Sequence, residues 1–123
     1  MIRFEFNDQL QILEVFYEGT INFIDLVDYG NKIFSNSSLP RDLKILTYAS
    51  GAGYHLEHHE LPLLTKKLEE HIRPYNKIRA AFIQSRPRET AYSILMEQEI
   101  AHDKYDHAVF STRKAALEWL LVE

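Results

Sequence analysis

KILTYASGAGYHLEHHELPLLTKKL, residues 44–68, decides the fold. It opens as a short β-rich run, Lys44 to Ser50, bounded by polar residues. It ends as an amphipathic helix in which Leu61, Leu64, Leu68 and then Ile72 recur at three- and four-residue intervals before Pro74. The same strand-then-helix order lies on either side of it.

Upstream, Ile2, Phe4 and Phe6 alternate with Arg3 and Glu5, as in a strand with one buried face, and Asn7-Asp8 supplies a turn. Leu10 and Ile12 continue the alternation. Its phase then changes at Leu13, Val15 and Tyr17, which a bulge or burial on both faces explains. Gly19-Thr20 ends this opening hairpin. Phe23, Leu26, Val27, Gly30 and Phe34 form a helical stripe with Asn22 or Thr20 as cap, and NSSLPRD, residues 36–42, closes it. Downstream, IRAAFIQS repeats the strand, and Pro87 suits the first turn of a helix running to about His102 with Ala91 and Leu95 inward. DHAVF is a last strand. Ser111 or Thr112 then caps KAALEWLLV, where Ala116, Leu117, Leu120 and Leu121 share a face and draw Trp119 toward the sheet.

The order ββαβαβαβα predicts an α/β fold: one domain over residues 1–123, a mostly parallel sheet with an antiparallel edge hairpin, and about four helices. A chain of 123 residues buries one core. With 14 Lys plus Arg against 18 Asp plus Glu, the net charge of −4 gives no basic field for nucleic acid. The absence of cysteine excludes disulfides, thiolate metal sites and thiol catalysis. No apolar run approaches the length of a membrane span and no leader precedes IRFEF, so the expected location is cytoplasmic.

His55, His58 and His59 sit close enough to suggest zinc. HLEHHE, however, matches neither the His-Glu-x-x-His pattern nor its inverse, and Pro62 puts the histidines on an entry loop before the helix. No metal and no cofactor is expected. Three loops, SGAG at 50–53, SRPRE at 85–89 and FST at 110–112, belong at the carboxyl end of the sheet. Ser50, Gly51 and Gly53 with Arg86 and Arg88 suggest a cradle for a small anionic ligand or a lipid headgroup. Neither a nucleophile elbow nor a phosphate-binding loop is present, so the expected activity is binding and not catalysis. On the third helix Tyr92, Met96 and Ile100 either widen the core face or offer a homodimer face.

The element order, residues 44–68 and the ending VFSTRKAALEWLL together resemble the small α/β domains of the STAS or SpoIIAA-like group, from about Gln9 onward. The resemblance implies a regulatory domain in bacterial-type signalling that binds a protein partner at the entry to the second helix. The broader fold is also similar to SEC14-like lipid carriers, which makes a small-ligand or lipid carrier the alternative. Group members place a phosphorylatable serine at that helix entry. Aligned on Ser50-Gly51, the region falls on Leu56 to His59, which carry no hydroxyl, and Glu57 lies near the modified position. The residues expected to meet a partner or ligand are therefore Ser50, Gly51, Gly53, His55, Glu57, His58, His59, Arg86 and Arg88.

Overall fold

Ile12 and Leu13 are consecutive, yet both are buried, at 0% and 2% exposure. Successive side chains of a strand point to opposite faces, so a strand with both faces buried must lie inside a layered structure. A computed structural model describes residues 1–91, 94 and 103–122. It shows strands β1 (Ile2–Asn7), β2 (Ile12–Tyr17), β4 (Asp42–Tyr48), β6 (Lys77–Ile83) and β7 (Tyr105–Phe110) in one sheet of order β1-β2-β4-β6-β7. β1 pairs antiparallel with β2, and the remaining pairs are parallel. Burial on both faces therefore accounts for the change of phase in β2.

One face of the sheet is covered by α1 (Phe23–Phe34) and α2 (Glu60–Ile72), whose Ile33, Leu61, Leu64 and Ile72 pack with Leu13, Val15, Tyr17, Leu43, Ile45, Ile78 and Ala80. Ile33 is fully buried although it lay outside the stripe expected for α1. The other face receives α4 (Arg113–Leu120), whose Ala116 and Leu120 join Ile12, Leu46, Ala81 and Ile83. The segment helical at 87–91 and 94 is α3; it opens at Pro87, as expected. The proposed association stripe of Tyr92, Met96 and Ile100, together with Leu95 and the end of that helix, lies outside the described residues.

Caps set the helix starts. Asn22 and Asp25 form a reciprocal capping box at α1, and Thr112 Oγ1 accepts from the Ala115 amide at α4. Trp119 is half-buried; Arg79 stacks 4.3 Å from its ring centroid and donates 2.7 Å to the Val122 carbonyl. Leu121, expected on the inner face, is exposed because the helix has already ended at Leu120.

Two further strands, β3 (Gly19–Asn22) and β5 (Ala52–His55), form a separate parallel pair. They extend β2 and β4 beyond a kink. Partners such as Leu13 and Ile45 are 32 residues apart in the main sheet, whereas Gly19 and Ala52 are 33 apart, so the β4 side carries one extra residue at the bend. Gly19, at φ 71°, makes the turn on the β2 side.

Candidate functional site

Residues 49–62, expected to be a loop and helix entry, also contain the short strand β5. Ala52, Tyr54 and Leu56 are buried while His55 and Glu57 are exposed, an alternation one residue out of phase with that of β4, as the extra residue at the bend requires. The two glycines, read as turn signals, obscured it. Gly53 lies under Arg86: a Cβ there would stand 3.3 Å from Arg86 Nη1, so a side chain would displace the guanidinium slightly.

After β5 the chain turns sharply into α2. The Glu57 amide donates to Glu60 Oε1 at 2.7 Å and the Glu60 amide to the Glu57 carbonyl at 2.9 Å. His59 occupies the cap position, but its side chain does not cap; its Nδ1 lies 3.4 Å from Glu57 Oε2, both groups being well exposed. His55 and His58 are exposed as well. The helix begins at Glu60, earlier than Pro62 suggested, because proline at the third helical residue costs no intrahelical hydrogen bond. Among the described residues no group of three or more His, Asp or Glu side chains stands where it could hold a metal ion.

The second set of expected residues meets at the carboxyl end of the main sheet. Gln84, only 2% exposed, donates through Nε2 to the Ala49 carbonyl at 2.9 Å, and its Oε1 accepts from the Ser85 and Arg86 amides, each at 3.0 Å. Ser50 Oγ donates to the Ile83 carbonyl at 3.3 Å. Arg88 Nη2 donates to the Tyr54 carbonyl at 2.9 Å, and buried Glu89 accepts from the Tyr54 amide at 3.4 Å. The structure thus brings Ser50, Gly53, Arg86 and Arg88 together, with Gly51 exposed at the rim. The donors that suggested an anion cradle are largely engaged within the chain, clamping β5 to the start of α3. Gln84 and Glu89 are the residues that sequence reasoning missed. The only available signal was their position flanking SRPR.

A third feature had no counterpart in the sequence reading. Between the sheet and the α1–α2 pair lies a cavity of about 100 Å³. Its floor includes Ala80 and Thr47, its roof Gly30, and aromatic side chains stand around it. Burial raises the Tyr17 hydroxyl pKa well above its ordinary value, reinforced by the neighbouring Tyr29, Tyr54 and Tyr105. His71, at the cavity edge and stacked on Phe34, has a lowered pKa, first through burial and then through Lys67, with Glu70 opposing.

No family model matches the chain, and no curated protein matches it. Among solved structures it is similar to an uncharacterized protein from the DUF3478 family of Shewanella loihica PV-4, described as having a SpoIIAA-like fold. That likeness has a TM-score of 0.63 and 16% identity, covering 98% of this chain and 92% of the other. The fold is SpoIIAA-like. Within the SpoIIAA-like frame residues 56–59 stand where β5 hands over to α2, with Glu57, His58 and His59 exposed beside buried Leu56, and residues 86–88 stand at the next strand-to-helix junction. Among the described residues no helix is long and apolar enough to cross a membrane.

Proposed function

We infer that this is a regulatory domain that binds a protein partner at the corner formed by His55–Glu60 and the first turn of α2, acting by recognition and not by turnover. The observation carrying this reading is the composition of that corner. Leu63 is 48% exposed on α2, next to a self-capped turn that holds His55, Glu57, His58 and His59 in solvent. An apolar anchor with a polar rim is the usual anatomy of a transient interface. Ile24, 66% exposed, is the second residue of α1, the helix that follows β3, the strand paired with β5. The SpoIIAA-like fold supports a regulatory role by analogy alone. Glu57 fixes a negative charge near the position that is phosphorylated in the group this chain resembles.

The test is affinity capture from a native cell extract on three immobilised proteins: wild type, Leu63→Ser, and His55, His58 and His59 together →Gln. A partner should be retained by wild type, be lost from Leu63→Ser, and be held more weakly by the triple histidine variant. A partner that binds all three equally overturns the assignment to this corner.

A further inference from the structure

The cavity under α1 and α2 has a specific origin and a specific chemistry. Its floor is open because Ala80 occupies the centre of β6, paired with Ile45 on one side and His107 on the other, where a larger residue would fill the space. Its roof is open because Gly30 sits inside α1, where glycine costs helix stability. A Cβ at Gly30 would stand 3.7 Å from the His71 ring, so a longer side chain there would run into α2. The larger side chains around the opening hold the helices off the sheet. The space is therefore not removed by collapse.

One polar group on its wall is out of place. Thr47 is 0% exposed, and its Oγ1 has no hydrogen-bond partner among the described residues. Leaving a buried hydroxyl unpaired is costly, and the rest of the lining is almost entirely hydrocarbon and aromatic ring. A volume of about 100 Å³ is of the order that takes a single ring, since a dry cavity of roughly 150 Å³ binds benzene. A full acyl chain is far too large. Among the described residues the lining includes no carboxylate or arginine, and Lys67 and His71 stand on α2 at its edge, so an ionised group deep inside would go unpaired.

We propose that this cavity is a binding site for a small, uncharged, ring-sized molecule carrying one hydrogen-bonding group, with the ring between Ala80 and Gly30 and the polar group on Thr47 Oγ1. The site is separate from the recognition corner and does not depend on it. It also differs from the anion cradle expected beside Arg86 and Arg88, both in place and in the charge of its ligand.

The probes are phenol, benzene and benzoate, followed by calorimetric titration and by the NMR shifts of Thr47, Ala80 and Leu64. Phenol should bind and shift these residues, benzene should bind more weakly, and benzoate should not compete. Thr47→Val should weaken phenol about tenfold while sparing benzene. Ala80→Leu should abolish both. If Ala80→Leu does not fold, Gly30→Ala, whose Cβ makes only ordinary contacts with His71 and Phe34, narrows the space from the other side and must weaken both. Failure of phenol to shift these residues, phenol binding that survives both plugging substitutions, or benzoate binding as tightly as phenol each overturns the proposal.

Discussion

Ala80 and Ala81 are consecutive on β6, both buried, and face opposite sides of the sheet. On the Ala81 side α4 brings its own small residue, Ala116, fully buried in the same cluster, and the helix settles close to the strand. On the Ala80 side the helix above also carries a small residue, Gly30, yet a cavity remains. The difference lies in the neighbours. Around Ala80 stand Tyr17, Phe34, Phe82 and Tyr105, which set the spacing between helix and sheet. A small residue invites close packing only when those around it are small enough to allow it.

The largest expected effect breaks this comparison directly. Ala81→Leu should cost about 3 kcal/mol by overpacking, whereas Ala80→Leu, entering existing space, should stay within about 1 kcal/mol of wild type in urea unfolding. Equal losses would mean that the space beside Ala80 is not usable. The cavity face also carries His107, stacked on Phe82 with ring centroids 4.4 Å apart, its Nδ1 3.1 Å from the Tyr105 hydroxyl and its Nε2 without a partner among the described residues. Burial lowers its pKa to about 4. Between that value and the ordinary histidine range the unfolded chain binds the extra proton, so stability is fully present above about pH 6.5 and falls as pH drops toward 4. The loss attributable to this group is on the order of 3 kcal/mol. His107→Phe keeps the stack and should flatten that part of the stability–pH curve; an unchanged curve would assign the acid sensitivity elsewhere.

Smaller effects sharpen the contrast. Thr47→Val removes an unpaired buried hydroxyl without changing the shape of the wall, and should raise stability by about 1–2 kcal/mol. A loss on this substitution would show that Oγ1 is satisfied in solution. Smallest of all, replacing His55, His58 and His59 by Gln should leave the melting temperature nearly unchanged, because these exposed side chains lie outside both cores. A fall of several degrees would make them structural instead of available to a partner.

Local pattern alone determined the order of the helices and main-sheet strands and narrowed the first and last helix caps to Asn22 or Thr20 and Ser111 or Thr112, because hydrophobic period and capping chemistry are properties of neighbouring residues. The choice between a bulge and two-sided burial at Leu13 needed the second layer, since period two reads the same whichever partner covers each face. The β3–β5 pair was illegible for a related reason. A four-residue strand containing Gly53 has little propensity of its own and exists because β3 pairs with it. The candidate site divides in the same way. That His55, His58 and His59 precede α2 was legible from Pro62, whereas their exposure beside buried Leu56 was not. The engagement of Arg88 with Tyr54, the burial of Gln84 and Glu89, and the cavity between Ala80 and Gly30 join residues tens of positions apart, and packing geometry, which no local period encodes, decided them.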